Sequence, residues 1–352
     1  MNNVLKKILF FTSGCVGGAE RVTLTIAKML PVNEYEVKII HICKEIKNLD
    51  KFVPDKYESH HIRIRNIWDF TTFKLIAYIK KERPFAVFSS LNYLNVRVIL
   101  AAKIAKVPKI IIRNNIGWSH WNKVTKLLAK LTYPLATHIV SQTKEMQNEL
   151  LPQIRQSKCQ WQVIPNPIDI DTITKKIKNC ENPYNVTNIN YVYVGRIDKV
   201  KGLDVLLQAL KNVVTELPNA FLTIVGDYNQ NKDYYEFLRN MAVKSGLIDH
   251  IKFVGFQDNP YRYIRYASCF VLPSRNEGNP NVLHEAMWLN VPVVATNSVP
   301  VISRIVTPER GDIVNVDDID ELGQAMLKRI NKPINIPYNY TNGQVEFISL
   351  FC

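Results

Sequence analysis

The sequence predicts two α/β domains, each built on a doubly wound parallel sheet. The chain has 352 residues, and a domain usually takes about 100–200. Short apolar, β-branched runs alternate with helix-period segments through both halves, which is typical of parallel sheets. The runs are apolar along their whole length, which indicates strands that are covered on both faces.

Six strands are predicted in the first half and five in the second. The first set covers residues 8–12, 37–43, 59–64, 85–89, 109–113 and 138–141, and the second covers 191–195, 221–226, 251–255, 269–273 and 293–296. Between them lie segments with helical periodicity. In residues 203–217, for example, Leu203, Leu207 and Leu210 share one helical face.

The domain boundary is predicted at Pro165-Asn166-Pro167, because proline suits neither a helix interior nor a central strand. One domain then covers residues 1–165 and the other 166–334, with a tail, 335–352, that packs back on the first. Ligands bind at the carboxyl ends of strands in open parallel sheets. We therefore expect a ligand in a cleft between two facing domains.

The composition excludes several classes of protein. No apolar run reaches the length of about 18–20 residues that a membrane-spanning helix needs, and the apolar start at residues 8–11 is too short for a signal peptide. The six cysteines are scattered and have neither zinc-site nor disulfide-framework spacing, so free thiols in a reducing compartment are expected.

The positive charge is concentrated in the first half of the chain. Residues 1–165 hold 26 Lys and Arg against 11 Asp and Glu, whereas the remaining residues hold 19 against 20. This asymmetry favours an anionic partner, namely a membrane surface, a phosphorylated substrate or nucleic acid. A solubilising basic face is the alternative.

The most specific pattern runs from Ser274 to Met287, directly after a predicted strand. Gly278 and Pro280 predict a turn, and Asn281 is a good N-cap for the helix that follows. The free N–H groups at such a helix start, here Val282 and Leu283, suit a phosphate. Two carboxylates flank them. Glu277 in the loop can reach a bound sugar, and Glu285, one helical turn in, can accept ribose hydroxyls.

Two further turns follow predicted strands. Residues 194–203 carry Arg196 and Lys201, a pair of cations suited to a leaving diphosphate. In the first βα turn, Gly17 and Gly18 let the backbone approach a phosphate. For each turn a purely structural explanation remains open.

These strings resemble the donor-site motifs of the retaining glycosyltransferases of family 4, which have the GT-B fold. The spacing Glu277…Glu285 is similar to the family's E-x7-E motif, Gly195-Arg196 with Lys201-Gly202 to its G-R-x4-K-G loop, and residues 17–21 to its opening. The resemblance covers nearly the whole chain.

The resemblance implies a role for each motif. Arg196 and Lys201 would hold the donor diphosphate, together with Gly17, Gly18, Asn281 and the amides of Val282 and Leu283. Glu285 would bind ribose, and Glu277 the transferred sugar, so Glu277, Arg196 and Lys201 are the predicted catalytic residues. No metal and no cofactor are expected. The first domain would bind the acceptor and the second the nucleotide-sugar donor.

The sequence departs from the family pattern in two places. Gly226-Asp227-Tyr228 replaces the usual Gly-Asp-Gly turn. Where many members carry a His-Asp pair, this chain has Arg113-Asn114, which resembles the subgroup that builds bacterial polysaccharides on lipid carriers. His120 lies close by and is interpreted as structural.

The segment 118–135 is interpreted as an acceptor or membrane contact. On a helix, Trp121, Val124, Leu128 and Leu131 form one stripe, with lysines on its flank. Such a layout is typical of a helix lying in a membrane interface. A core-packed helix with a solvated basic face is the alternative. The predicted acceptor or membrane contact residues are Arg113, Asn114, Trp118, Trp121, Lys123, Lys126 and Lys130.

The predicted activity is metal-independent, retaining transfer of a hexose or N-acetylhexosamine in surface polysaccharide (capsule or O-antigen) synthesis. The donor is a nucleotide-sugar, with UDP favoured, and the acceptor a polyprenyl-diphosphate-linked glycan. The protein would be cytoplasmic and peripheral on the inner face of the membrane, without nucleic acid as a partner. Three alternatives stay open: a soluble acceptor, a metal-dependent transferase using Asp169-Ile170-Asp171, and a non-enzymatic nucleic-acid binder.

Overall fold

The computed structural model describes residues 5–14, 17–45, 53–64, 71–154, 158–229, 231–330, 334, 338–340 and 343–352. The chain forms two compact units. Unit 1 comprises residues 1–168 with 342–352, and unit 2 comprises residues 169–341.

Unit 1 contains a parallel sheet of seven described strands. In chain order they are β1 (Lys6–Thr12), β2 (Tyr35–Cys43), β3 (Glu58–Arg63), β4 (Ala86–Ser89), β5 (Lys109–Asn114), β6 (His138–Ser141) and β7 (Gln160–Val163). The spatial order is β3-β2-β1-β4-β5-β6-β7, and every neighbouring pair is parallel.

The helices of unit 1 cover both faces of this sheet. They are α1 (Gly18–Met29), α2 (Thr71–Glu82), α3 (Asn92–Ile104), α4 (Lys123–Thr132) and α5 (Lys144–Leu150), and the numbering continues into unit 2. Alternate residues of β1 supply the two cores: Leu9 and Phe11 pack in one, Ile8 and Phe10 in the other. The unbroken apolar run therefore arises because neither face of β1 meets water.

Unit 2 contains a parallel sheet of six described strands: β8 (Ile189–Val194), β9 (Ala220–Val225), β10 (Ile251–Gly255), β11 (Cys269–Leu272), β12 (Val293–Thr296) and β13 (Gly311–Val314). Its spatial order is β10-β9-β8-β11-β12-β13. Its helices are α6 (Ile170–Ile177), α7 (Leu203–Glu216), α8 (Lys232–Lys244), α9 (Tyr261–Arg265), α10 (Asn281–Trp288), α11 (Ile302–Ile305) and α12 (Ile319–Arg329).

After unit 2 the chain returns to unit 1. The helix α13 (Gln344–Ser349) places Phe347 in the same core as Ile8 and Phe10, and Phe351 follows it there. The ring centroid of Phe351 lies 5.6 Å from that of Phe10 and 6.2 Å from that of Phe88. Both phenylalanines of this terminal segment are completely buried.

The predicted fold class, two doubly wound parallel sheets, is confirmed. Two edge strands, β7 and β13, were missed. The free-thiol prediction is confirmed for Cys43, Cys159, Cys180, Cys269 and Cys352, whereas Cys15 lies outside the described residues. None of the helices in the described part of the chain combines the length and the apolarity needed to cross a bilayer.

Candidate functional site

The two strongest sequence motifs lie next to each other in unit 2. One follows β8 and the other follows β11, and these two strands are hydrogen-bonded neighbours at the point where the strand order reverses. The crevice at such a switch point is where open α/β sheets bind ligands. The fold therefore brings residues 195–202 and 274–280 to one place.

The loop after β8 is held by its own polar groups. The Asp198 carboxylate accepts a hydrogen bond of 3.0 Å from the Val200 N–H, which starts a 3-10 turn over Lys199–Lys201. The buried Tyr193 hydroxyl donates to the carbonyl oxygen of Arg196, at 2.8 Å. The Arg196 side chain is exposed, as a group that meets an incoming anion must be.

Gly202 ends this turn with a φ of 65°, and a Cβ added there would lie 2.0 Å from the carbonyl oxygen of Pro273. We expect Gly202→Ala to destabilise the protein by about 2 kcal/mol or more, because left-handed strain adds to a backbone clash. Gly246→Ala is the matched control, since Gly246 has a φ of 70° and open space around it. Urea denaturation of both variants checks this, and equal losses would show that the contact with Pro273 is unimportant.

Lys201 and Glu277 meet directly. The Lys201 ammonium lies 2.7 Å from the Glu277 carboxylate, and the two side chains are only 15% and 10% exposed. The Ser274 hydroxyl donates to the same carboxylate oxygen at 2.6 Å. Lys201, which is predicted to bind the diphosphate, and Glu277, which is predicted to bind the sugar, thus belong to one polar cluster. Ser274 is a third member, which the sequence did not single out.

The helix α10 begins one residue earlier than predicted. Its N-cap is Pro280, which has an extended backbone, and Asn281 is the first helical residue. The N–H of Leu283 donates to the carbonyl oxygen of Pro280 at 3.1 Å. A phosphate at this helix start would compete with that bond for the Leu283 amide, so a role for this amide in phosphate binding stays a prediction.

Glu285 and His284 lie on the inner part of α10. Glu285 is 9% exposed, one helical turn from the helix start. Burial lowers the pKa of His284 to about 4, so its ring is neutral at physiological pH. Its Nδ1 lies 2.5 Å from the Tyr338 hydroxyl. No local signal in the sequence connects His284 with Tyr338, 54 residues away.

The first βα turn is only partly described, since Cys15 and Val16 lie outside the described residues. A Cβ at Gly17 would meet the carboxylate of Glu20 at 2.4 Å, whereas one at Gly18 would meet nothing within 4 Å. Glu20 is buried and accepts a hydrogen bond of 2.6 Å from the Ser13 hydroxyl. A side chain at Gly17 would therefore displace the Glu20 carboxylate, while Gly18 borders open space where a ligand can approach.

Arg113 and Asn114 end β5 in the interior of unit 1. Arg113 is 0% exposed and Asn114 is 1% exposed. The Arg113 guanidinium donates to the side-chain oxygen of Asn166, and the Tyr133 hydroxyl donates to that of Asn114 at 3.1 Å. A membrane contact through either side chain is therefore wrong, whereas a contact with an acceptor stays a prediction.

The structure also corrects the predicted apolar stripe. Trp121 is 5% exposed, and its indole N–H donates to the carbonyl oxygen of Ile116. It packs on Tyr133 and on the half-buried Trp118, because the aromatic rings fill the space beneath the start of α4. His120 is exposed.

The lysines of α4 differ in environment. Lys126 donates to the Ser119 carbonyl oxygen at 3.2 Å and lies over the Trp118 ring, whereas Lys123 and Lys130 are exposed. Lys123 and Lys130 are thus the lysines of this helix whose side chains are open to solvent.

Asp169 and Asp171 do not follow a strand. The Asp169 carboxylate caps α6 by accepting from the Thr172 N–H at 3.0 Å, and Asp171 lies in the first turn of that helix. The capping bond is a structural reason for an aspartate at position 169, so the metal-binding motif of a metal-dependent transferase is not needed to explain it.

Two domain families account for most of the chain. Residues 16–172 match Glycosyltransferase Family 4, and residues 175–342 match the glycosyl transferases group 1. The chain carries both domains of a family 4-type glycosyltransferase. The boundary between the matches falls within six residues of the boundary between unit 1 and unit 2.

The glycosyltransferase has relatives in polysaccharide synthesis. It is 26% identical over 343 residues to the capsular polysaccharide biosynthesis glycosyltransferase CapM of Staphylococcus aureus, covering 88% of this chain and 86% of CapM. It is 22% identical over 333 residues to the UDP-Gal:alpha-D-GlcNAc-diphosphoundecaprenol alpha-1,3-galactosyltransferase of Escherichia coli, covering 89% and 84%. With an uncharacterized glycosyltransferase of Methanocaldococcus jannaschii it shares 29% identity over 274 residues, 72% of this chain and 65% of the relative.

Solved structures share the fold of the glycosyltransferase. The crystal structure of Anabaena HepE in complex with UDP and glucose superposes with a TM-score of 0.77 at 19% identity, covering 98% of this chain and 95% of HepE. The predictions of a GT-B fold and of a glycosyltransferase are therefore confirmed.

Proposed function

We propose that this glycosyltransferase moves a hexose or N-acetylhexosamine from a UDP-sugar to a polyprenyl-diphosphate-linked glycan, with retention of anomeric configuration. The proposed reaction belongs to capsule or O-antigen assembly at the cytoplasmic face of the membrane. CapM and the E. coli galactosyltransferase support this assignment through the processes and substrates that their names state. HepE supports uracil as the base of the donor nucleotide, because its structure holds UDP.

The observation that carries the proposal is the cluster at the switch point of unit 2. A cation, Lys201, and a carboxylate, Glu277, share one mostly buried contact of 2.7 Å, and the exposed Arg196 lies on the same loop. An arriving diphosphate can take the Lys201 ammonium, which releases Glu277 to accept hydroxyls of the transferred sugar. The site is thus preorganised for a ligand with an anionic and a hydroxyl-bearing part.

The proposed chemistry uses the leaving group itself as the base. The bond between the anomeric carbon and the diphosphate oxygen breaks, and the acceptor hydroxyl attacks from the same face. Its proton passes to the departing phosphate oxygen. Arg196 and Lys201 neutralise the charge that grows on the diphosphate, a task for which we expect no metal to be required.

A donor panel tests the proposal. Purified protein is incubated with UDP-, GDP- and ADP-sugars, with and without EDTA, in the presence of polyprenyl-diphosphate-linked GlcNAc. We expect EDTA-resistant transfer from a UDP-sugar, with retained configuration by NMR. Transfer to free oligosaccharide alone would favour the soluble-acceptor alternative. Tight binding of single-stranded DNA without UDP binding would overturn the enzyme assignment.

The surface of α4 supports the membrane part of the proposal. Its buried residues are Thr125, Ala129 and Thr132. Its exposed residues include an apolar ridge, which consists of Val124 (59% exposed), Leu127 (63%), Leu128 (42%) and Leu131 (66%). The helix therefore turns its small and hydroxyl-bearing residues inward and its large apolar ones outward, the reverse of an ordinary surface helix.

A bilayer with anionic lipids is the occupant that fits this ridge. The exposed Lys123 and Lys130 flank it, which is the arrangement of a helix that lies in a membrane interface. The apolar ridge would enter the acyl boundary while the lysines stay among the headgroups. Each lysine near such a surface contributes about 1 kcal/mol.

Charge reversal tests this contact. We expect the triple variant with Lys123, Lys126 and Lys130 changed to Glu to lose binding to phosphatidylglycerol vesicles by roughly 100-fold or more, because three attractions disappear. The control reverses three exposed lysines of unit 2, Lys211, Lys232 and Lys244, with the same change of net charge. Equal co-sedimentation of both variants and the unmodified protein would remove the membrane claim.

A further inference from the structure

The loops after β8 and β11 are joined by one arginine. Arg275 makes a backbone bond, from its N–H to the Val200 carbonyl oxygen at 2.8 Å. Its guanidinium Nη1 donates to the Lys199 carbonyl oxygen at 2.7 Å. Arg275 thus binds the 3-10 turn of Lys199–Lys201 at two successive carbonyl groups, from the strand end that also carries Glu277.

Two carboxylates also bind the same guanidinium. Nη1 and Nη2 donate to the two oxygens of Asp204 at 2.9 and 2.7 Å, and Nε donates to Asp317 at 2.7 Å. Asp204 lies in the first turn of α7 and also accepts from the Tyr234 hydroxyl at 2.7 Å. A planar fork that is paired in this bidentate way has one defined orientation, which a lysine does not reproduce.

The hydrogen bonds to Asp204 favour its ionised form. Burial alone would raise the pKa of Asp204, but hydrogen bonds from Arg275 and Tyr234 outweigh it and lower this pKa. The bidentate pair is therefore ionised across the physiological range, and its geometry does not change with pH there.

We infer that Arg275 is a positioning residue for the donor diphosphate: it fixes the turn that carries Lys201, and so places the Lys201 ammonium beside Glu277. This inference rests on the proposed function. The guanidinium of Arg275 donates to Lys199, Asp204 and Asp317. Its effect on a diphosphate would therefore act through the position of Lys201. A displacement of about 1 Å in such a group can cost 100-fold in rate.

Nucleotide binding separates positioning from a general structural role. UDP and UMP differ by the phosphate group that Lys201 is proposed to bind. We expect unmodified protein to bind UDP at least 10-fold more tightly than UMP by calorimetry. In Arg275→Gln this preference should fall to below about 3-fold while UMP affinity stays the same. A merely destabilising change would instead weaken both nucleotides together or neither.

Three further variants, one of them a control, and one further measurement keep the test decisive. Arg275→Lys keeps the charge but loses the fork, so we expect it to resemble Arg275→Gln, and Asp204→Asn should weaken the preference less. Asp317→Asn is the control, because it weakens only the ion pair between Arg275 and the half-exposed Asp317. Hydrogen exchange without nucleotide should show faster exchange at residues 199–203 in the Arg275 variants only.

The outcomes distinguish the two proposals. Unmodified protein that binds UDP no better than UMP refutes the diphosphate site and this inference with it. A clear preference for UDP in the unmodified protein that persists in both Arg275 variants refutes the positioning role alone. Unchanged exchange at residues 199–203 would do the same.

Discussion

Replacing Lys201 with alanine should reduce the transfer rate by about 100- to 1,000-fold, the loss typical when one group that stabilises transition-state charge is removed. The Lys201 side chain is 15% exposed, and its ammonium contacts Glu277 from a turn fixed by Asp198, Gly202 and Arg275. Its bond to Glu277 joins two loops at the surface end of the sheet and belongs to neither strand. We therefore expect the loss in kcat, with the protein still folded.

Lys199→Ala is the matched control for this experiment. Lys199 lies two residues earlier in the same turn, and its side chain is exposed. Its contribution to the turn is its carbonyl group, which the substitution keeps. Initial rates and thermal unfolding of both variants decide the matter. Full activity of Lys201→Ala, or an equal loss in Lys199→Ala, would contradict the donor-site assignment.

Replacing Glu285 with alanine should weaken binding of UDP by roughly 100-fold. A buried carboxylate that accepts hydroxyl groups contributes about 1.5–3 kcal/mol for each hydrogen bond, and Glu285 is 9% exposed in the second turn of α10. The reason is specific to ribose, so the loss should appear in every ligand that carries both ribose hydroxyls.

A comparison with 2′-deoxy-UDP isolates that contact. Unmodified protein should prefer UDP over the deoxy analogue, and Glu285→Ala should bind the two equally. Because each protein is compared with itself, a general loss of stability cancels from the ratio. A preference for UDP that survives the substitution would show that Glu285 does not bind the 2′-hydroxyl of the ribose.

The sequence predicts the two sheets well because their central strands are buried on both faces. The strands that it misses, β7 and β13, are four-residue edge strands. Gln160 and Val163 at the ends of β7 are exposed, and Gly311 and Asp312 begin β13. Gln160, Gly311 and Asp312 carry little strand propensity, and the conformation of an edge strand depends on the neighbour that it pairs with.

The sequence places the residues of the candidate site directly after strands, but it does not show which of them contact each other. Glycine spacing and the two glutamates reveal that Lys201 and Glu277 follow strands. Their contact, however, depends on the strand order of the folded sheet. The periodicity of α4 likewise predicts a helix without showing which side faces out, since a leucine stripe is as typical of a core as of a membrane surface. Burial of Thr125 and Ala129 settles that orientation.

The return of the chain to unit 1 has a consequence for biosynthesis. Phe347 and Phe351 complete the core around Phe10 and Phe88, yet they leave the ribosome after all of unit 2. Unit 2 can fold as soon as it emerges, whereas unit 1 waits with an open apolar face although it was synthesised first. During that interval unit 1 exposes apolar surface, which makes it the part of the nascent chain most prone to aggregation.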